Sequence, residues 1–243
     1  MSAAPPPPLV EAASAYYRAA GRFAWHFARG KLRTDPAYQI MLEQGLLKDC
    51  RRLLDLGAGQ GLLAAWLLGA ASCYARERPG AWPHGWPAPP HLTSYTGIEI
   101  NPQEVRRARR AFARDSGTLI QMLHGDIREA DFGSPDGIVL LDVLHYNDFT
   151  AQERILSRAR AALSPGGLLL LRIGDAAGGY GFTLSKAVDR SVALLRRGRW
   201  LPLHCRTLAD WQRLLRSSGF VTQRVNLSRG RAFDNTLLLG EAA

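Results

Sequence analysis

A short apolar segment that ends in alternating glycines, Leu53–Gly61 (LLDLGAGQG), constrains the fold of this chain more than any other feature. The apolar run predicts a buried strand. Glycines directly after it let the backbone approach a ligand closely at the N-terminus of the next helix. The spacing G-x-G-x-G differs from the dinucleotide-binding G-x-G-x-x-G, because the third glycine of that pattern falls on Leu62. Asp55 adds a carboxylate, which repels a pyrophosphate and attracts a cationic ligand.

Strands and helices alternate from this segment onward. Near-continuous apolar strands between amphipathic helices predict a doubly wound α/β fold with a mostly parallel, seven-stranded sheet. Asn101-Pro102-Gln103-Glu104, Thr150-x-x-Glu153 and Thr207-x-x-Asp210 have the composition of helix N-termini. The predicted strands lie at 51–56, 94–100, 118–123, 137–143, 168–173, 220–227 and 235–240.

The chain divides into three predicted parts. Residues 1–8 form a disordered Pro-rich tail, residues 9–49 an N-terminal helical lid, and residues 50–243 the α/β domain. In the lid, the spacing of Tyr16, Ala20, Phe23 and Phe27 predicts one helix over 9–30 with a single aromatic stripe. The segment 79–92, with five prolines and two tryptophans, is predicted to be an inserted surface loop.

Cysteine usage and hydropathy exclude several classes of protein. Cys50, Cys73 and Cys205 are odd in number and form no C-x-x-C, which argues against a disulfide framework or a cysteine zinc site. No apolar run is long enough to span a bilayer, and the first residues do not have the pattern of a secretory signal. We therefore expect a cytoplasmic protein without a membrane span and without a bound metal.

Beyond the glycine loop, several motifs follow in order, and with them the chain resembles the class I S-adenosylmethionine-dependent methyltransferases over roughly residues 50–240. The Asp55–Gly61 loop is similar to the first motif of that superfamily, and Glu99 closes the second predicted strand. Gly125-Asp126-Ile127 follows the third strand, and Asp142–Tyr146 follows the fourth. The resemblance implies S-adenosyl-L-methionine as cofactor, in the small-molecule, quinone-biosynthesis-like branch.

The resemblance also implies roles for individual residues. Glu99 would accept the ribose hydroxyls, Asp126 would contact the adenine amino group with Ile127 against the ring, and Asp142 would contact the methionine part. Asp126 as a helix N-cap and Asp142 as a strand-end residue are the structural alternatives. The predicted cofactor-binding residues are Asp55, Gly57, Ala58, Gly59, Gly61, Glu99, Ile100, Asp126, Ile127, Asp142, Val143 and Arg29.

His145 and Tyr146 are the predicted catalytic residues, because they follow the fourth strand. Holding a nucleophile in line with the methyl group supplies much of the rate, and a protonated acceptor also needs a base. His145 is the candidate for that base; alternatively, it only orients the loop. Arg29 is a candidate for the cofactor carboxylate, or it is simply solvated.

The absence of Asn/Asp-Pro-Pro-Tyr argues against methylation of adenine or glutamine amino groups. The chain instead resembles the small-molecule branch, which implies methyl transfer to a small aromatic or hydrophobic acceptor. It is also similar to methyltransferases of fatty-acid and aryl-polyene-type biosynthesis, which implies an acceptor bound to an acidic carrier protein. That similarity rests on the ARGKL segment and on the closing RGRAFDNTLLLG.

The positive charge of the chain is concentrated near its C-terminus, which is compatible with an anionic partner. The formal net charge is +10, and +7 of it lies in residues 176–243, where a predicted helix over 183–197 carries Lys186, Arg190 and Arg197. Such a face suits an acidic carrier protein or an anionic substrate, or it is a solvated helix face. Two alternatives to small-molecule methylation remain: an RNA methyltransferase, which the charge favours, and a non-catalytic cofactor-binding scaffold.

Overall fold

A computed structural model describes residues 5–76, 80–114, 119–174, 202–227 and 235–243. The predicted helix over 183–197 and nearly all of the glycine-rich segment 174–181 lie outside these ranges. The first half of the closing segment RGRAFDNTLLLG, residues 229–234, lies outside them as well. The described chain divides into two compact units, residues 1–126 and residues 127–243.

The described residues of the first unit form three parallel strands and five helices. Its registers place Asp55 beside Gly97 and Glu99 beside His124, so the carboxyl ends of neighbouring strands are level. The elements are α1 (Pro7–Ala15), a 3-10 turn (Tyr16–Arg18), α2 (Arg22–Thr34), α3 (Pro36–Glu43), β1 (Arg52–Leu56), α4 (Leu62–Tyr74), β2 (Ser94–Glu99), α5 (Pro102–Ala111) and β3 (Ile120–His124).

The second unit contains a parallel pair of strands followed by an antiparallel pair. β5 lies parallel to β4 and antiparallel to β7, and β6 pairs antiparallel with β7. The elements are β4 (Gly137–Leu141), a 3-10 turn (Leu144–Tyr146), α6 (Phe149–Ala162), β5 (Leu168–Gly174), α7 (Leu208–Ser217), β6 (Phe220–Asn226) and β7 (Asn235–Ala242).

The seven strands form one sheet in the order β3-β2-β1-β4-β5-β7-β6. Among the described strands, β7 is the one that runs antiparallel to both of its neighbours, β5 and β6, so the predicted doubly wound, mostly parallel seven-stranded fold is confirmed. Its central strands are buried on both faces, which explains their near-continuous apolar sequences.

The single helix expected over residues 9–30 is wrong. The chain leaves α1 through the 3-10 turn and enters α2 after Gly21, whose φ of 104° lies in a region that side chains rarely adopt. The two halves of the predicted stripe therefore point in different directions, and Phe23 is 68% exposed. Pro7 and Pro8, which the expected tail over 1–8 includes, instead begin α1.

Helix α1 packs closely on α4, the helix that follows the glycine loop. A Cβ atom added at Gly69 of α4 would lie 2.8 Å from the backbone nitrogen of Ala13. This contact requires glycine, and it fixes the N-terminal segment to the helix that begins at the candidate ligand loop.

The Pro/Trp segment 79–92 runs between α4 and β2, as predicted for an insertion. Trp82 packs edge-on against Tyr74 and against Trp86, with ring centroids 5.7 Å apart in both pairs. Pro87 lies against Gly45, where an added Cβ would be 2.8 Å from the proline Cγ. Aromatic stacking and this contact fix the described part of the insertion to the first unit.

Within the described ranges, none of the helices combines the length and the apolar character that a membrane span requires.

Candidate functional site

The glycine loop leaves β1 in a conformation that its glycines make accessible. Gly57, Gly59 and Gly61 have φ values of 78°, 57° and 79°, all in the left-handed region. A Cβ atom at Gly61 would lie 2.7 Å from Phe112 Cε2, so that glycine is also needed for packing. At Gly59 the same position meets nothing within 4 Å, which leaves room beside the loop for a ligand.

The backbone amides of the loop are turned toward the protein. Gly57 and Ala58 both donate to the carbonyl oxygen of Ile98, at 2.8 and 3.1 Å, and Gly61 donates to Ala58 at 2.9 Å. Gly59 donates to Oε2 of Glu99 at 2.9 Å. An anion-binding loop needs its amides free, so this loop is not built to cradle a phosphate.

Asp55 places a buried carboxyl group at the end of β1. It is 3% exposed, and the hydroxyl of Tyr95 donates to its Oδ2. The pKa of Asp55 is raised to about 7, mainly because the carboxyl group is buried; the Tyr95 hydrogen bond lowers the pKa, and the nearby Glu99 charge raises it. A cation bound at this position would restore the ionised carboxylate, as expected for a sulfonium or ammonium ligand.

Glu99 connects the second strand to the glycine loop. The side chain is 7% exposed, and its two oxygens accept from the backbone amides of Gly59 at 2.9 Å and Asn101 at 2.7 Å. A carboxylate oxygen accepts more than one hydrogen bond, so both retain capacity for a ligand hydroxyl. The two amides hold the group at the position from which the resemblance expects it to contact a ribose.

Gln60 adds a polar group that sequence reasoning missed. The residue is 2% exposed, and its Oε1 accepts no hydrogen bond from any residue in the described ranges. The Tyr17 hydroxyl donates to the Gln60 carbonyl at 2.9 Å, which connects the loop to the N-terminal segment. A buried acceptor without a donor is costly, and a ligand ammonium would satisfy it.

These observations test whether the first unit fits S-adenosylmethionine. Two buried carboxylates and an unsatisfied buried oxygen suit a ligand with a sulfonium, an ammonium and ribose hydroxyls, and Gly59 leaves open space. Burial raises the pKa of the phenols of Tyr17 and Tyr95, so both stay neutral hydrogen-bond donors. The residues present therefore fit the cofactor that the resemblance implies.

Three other predicted cofactor residues of the first unit are less closely connected to the loop. Ile100, directly after Glu99, is 42% exposed and offers an apolar surface. Asp126 is half-buried at the end of the unit. Arg29 forms an ion pair with Glu11 and lies 5.7 Å from the Trp25 ring, so the structure gives it a protein carboxylate as partner.

In the second unit, Asp142 follows β4 with strained backbone. Its φ of 58° is the only positive value among non-glycine residues of the described chain. Its Oδ1 lies 3.2 Å from Nε of Arg172, a residue of β5 that is 7% exposed. Backbone strain that persists beside an ion pair with a buried arginine is typical of a functional position. Arg172 gave no recognisable signal in the sequence.

His145 and Tyr146 belong to the segment 143–147, which we call the His145 turn. The two rings lie 4.2 Å apart between centroids, and Val143 precedes the 3-10 turn that carries them. The amide of His204 donates to the carbonyl of His145 at 2.8 Å, which joins the turn to a residue far along the chain. Ile127, at the start of this unit, is buried at 7% exposure.

Comparisons with known proteins agree with this architecture. Residues 54–169 match the family model described as a methyltransferase domain. The chain is 30% identical over 190 residues to acetylserotonin O-methyltransferase of Mus musculus, which covers 76% of this chain and 43% of that protein. The chain thus spans less than half the length of this curated relative.

Two solved structures show the same fold. An O-methyltransferase family protein from Burkholderia thailandensis superposes with a TM-score of 0.62 and 22% identity, covering 93% of this chain and 62% of that one. Magnesium protoporphyrin IX methyltransferase from Synechocystis PCC 6803, solved with bound SAH, superposes with a TM-score of 0.58 and 17% identity, and the match covers 94% of both chains. By the match over residues 54–169 and by the fold that it shares with these structures, this chain contains a methyltransferase domain.

Proposed function

We propose that this chain transfers a methyl group from S-adenosyl-L-methionine to a small aromatic or hydrophobic acceptor. The observation that carries the proposal is the composition of the glycine-loop site. Asp55 and Glu99 are buried carboxylates there, and the amides of Gly57, Ala58 and Gly59 are already bonded to protein oxygens. Such a site favours a cationic ligand over a phosphate.

The residues of the first unit have defined tasks in binding. The cofactor, when bound, supplies an electrophilic methyl group on a sulfonium. Asp55 supplies negative charge, Glu99 accepts ribose hydroxyls, and Gln60 Oε1 accepts from an ammonium group. Asp126 would contact the adenine amino group; the resemblance assigns the contact with the ring to Ile127, the first residue of the second unit. Because the loop amides are fixed in advance, little reorganisation accompanies binding.

The second unit carries the groups that we propose act on the acceptor. Asp142 and Val143 lead into His145 and Tyr146, and the Asp142–Arg172 ion pair fixes the beginning of that segment. A ring nitrogen of His145 would take the proton from an acceptor hydroxyl, while Tyr146 packs beside it. The chain's contribution to rate is orientation of the acceptor and removal of this proton.

The acceptor class is the finer part of the proposal. The O-methyltransferase names among the relatives favour a hydroxyl acceptor. We extend the proposal to an acceptor joined to an acidic carrier protein, in fatty-acid or aryl-polyene-type biosynthesis, because the basic residues concentrate in 176–243. Membership of the quinone-biosynthesis-like branch stays a prediction from the sequence.

A methyl-transfer screen tests the proposal. Labelled S-adenosylmethionine is incubated with phenols, quinones, acyl-carrier conjugates and RNA, and transfer to one small-molecule class is expected. His145→Ala should lower turnover by roughly a hundredfold or more and leave cofactor affinity nearly unchanged. His91→Ala, at an exposed histidine of the Pro/Trp segment, is the matched control.

Two outcomes would overturn this function. Methylation of RNA alone, with binding that weakens steeply as salt rises, would establish the nucleic-acid alternative. Tight binding of the cofactor without transfer to any acceptor would favour a non-catalytic scaffold.

A further inference from the structure

Gln152 is a fully buried glutamine on α6 whose amide nitrogen faces three backbone carbonyls. It is 0% exposed, and Nε2 lies 2.7 Å from the oxygen of His204, 2.9 Å from that of Asn147 and 3.2 Å from that of Leu144. An amide has two N–H groups, so the two shorter bonds dominate and the third is shared. The Gln152 side chain therefore joins both ends of the 3-10 turn to His204, which lies 52 positions after Gln152 in the chain.

The other end of the amide is equally engaged. Oε1 of Gln152 accepts from Nε of Arg206 at 2.9 Å, and the same guanidinium donates to Glu153 at 2.7 Å. Arg206 also lies over the Phe149 ring at 4.6 Å. Carbonyls only accept and guanidinium groups only donate, so the amide has a single orientation that satisfies both ends.

These bonds concentrate on the His145 turn. Within it, the amide of Asn147 donates to Leu144 at 2.9 Å and that of Tyr146 to Val143 at 3.2 Å. Across it, His204 donates from its backbone to His145. A turn this short has few contacts of its own, and its geometry depends on what holds it from outside.

We propose that Gln152, supported by Arg206, is the positioning residue of the His145 turn. It fixes the backbone that carries His145 and Tyr146 to the segment 204–206, and so sets the direction in which both side chains face the acceptor. The functional meaning of this rests on the proposed methyl transfer, because it is there that His145 and Tyr146 act. The connection itself belongs to the second unit and does not involve the glycine-loop site.

Two substitutions separate this role from ordinary packing. Gln152→Met keeps the length of the side chain and removes both ends of the hydrogen-bond network. Gln152→Glu keeps the bond from Arg206 but turns a carboxylate oxygen toward three carbonyl oxygens, so the donor end alone is lost. Both variants should release the His145 turn. Gln39→Met is the matched control, since Gln39 is a buried glutamine of α3 in the first unit, 8% exposed.

Hydrogen exchange and NMR of histidine ring nitrogens measure the release. We expect exchange of the Tyr146, Asn147 and His204 amides to accelerate on the order of tenfold or more in both Gln152 variants. The ring resonances of His145 and His204 should shift in those variants and stay unchanged in Gln39→Met. Affinity for S-adenosylhomocysteine, measured by calorimetry, should stay within about twofold of wild type in all three.

A substitution at Arg206 keeps the proposal testable if neither Gln152 variant folds. Arg206→Met, at a side chain that is 18% exposed, should accelerate the same amides by a smaller factor. Unchanged amide exchange and unchanged histidine resonances in folded Gln152 variants would overturn the inference. A loss of cofactor affinity by a factor as large as the acceleration of exchange would overturn it as well. Failure of the wild-type chain to bind the cofactor would instead contradict the proposed function. The exchange results would still test whether Gln152 holds the His145 turn.

Discussion

Asp55 is an ionisable group buried at the end of β1, so its protonation depends on whether a cation lies beside it. The polar groups of the site have hydrogen-bond partners from distant positions in the chain. Tyr95 is 40 residues from Asp55, and Gln60 is 43 residues from Tyr17. The sequence identified Asp55 and Glu99 through their position after apolar strands. It offered no signal for Tyr17, Tyr95 or Arg172, whose roles arise only when the chain folds.

The pKa of Asp55 makes stability depend on pH. Between the ordinary value of 3.8 and about 7, the folded chain holds a proton that the unfolded chain has released. The free energy of unfolding therefore falls as pH rises through this window. Asp55→Asn removes that dependence. Without cofactor, we expect wild type to lose up to about 4 kcal/mol relative to the variant between about pH 4 and about pH 8, measured by urea unfolding. Parallel pH profiles would contradict this account of Asp55.

The strained backbone at Asp142 gives a second prediction for single residues. Asp142→Ala and Asp142→Gly both remove the carboxylate that pairs with Arg172. Only alanine retains the steric cost of a positive φ, so the alanine variant should be less stable than the glycine variant by about 1 kcal/mol. Chemical denaturation of the two proteins measures the difference, and equal stabilities would mean that the backbone relaxes on substitution.

At the scale of elements, most described helix and strand positions followed from apolar periodicity. The errors were the break inside the helix predicted over 9–30 and the N-terminus of α6. Asn101 and Thr207 cap α5 and α7 as predicted, with side-chain oxygens that accept from Gln103 and Asp210. For α6, the capping-box pattern at Thr150 is misleading, because Asp148 supplies the cap. Both Asp148 and Thr150 are residue types that cap helix N-termini. Which of them caps α6 depends on the direction in which the chain enters the helix.

The cap of α6 is testable with a matched pair of variants. Oδ1 of Asp148 accepts from the amide of Ala151 at 2.8 Å, whereas Thr150 is an exposed residue of the first turn. Asp148→Ala should lower the free energy of unfolding by about 1 kcal/mol, and Thr150→Ala should change it by less than about 0.5 kcal/mol. Thermal or urea unfolding measures both. A larger loss at Thr150 would restore the capping box predicted from the sequence.

At the scale of the whole molecule, a doubly wound, mostly parallel sheet of seven strands could be predicted from the alternation of elements together with the glycine loop. The break at Gly21 could not, because the aromatic spacing fits one continuous helix and only the backbone conformation of Gly21 separates α1 from α2. Gln152 escaped prediction for a related reason. Its four partners lie up to 54 positions away, and no local pattern marks a glutamine that joins a turn to a distant segment.

The central claim is that the glycine-loop site binds S-adenosylmethionine, and calorimetric titration with S-adenosylhomocysteine tests it most directly. We expect micromolar affinity, on the order of −8 kcal/mol. In Glu99→Gln the affinity should fall by roughly ten- to a hundredfold, because a charge-assisted acceptor is lost. In Glu129→Gln, at an exposed glutamate, it should not change. Absence of any binding to the wild-type chain would contradict the account.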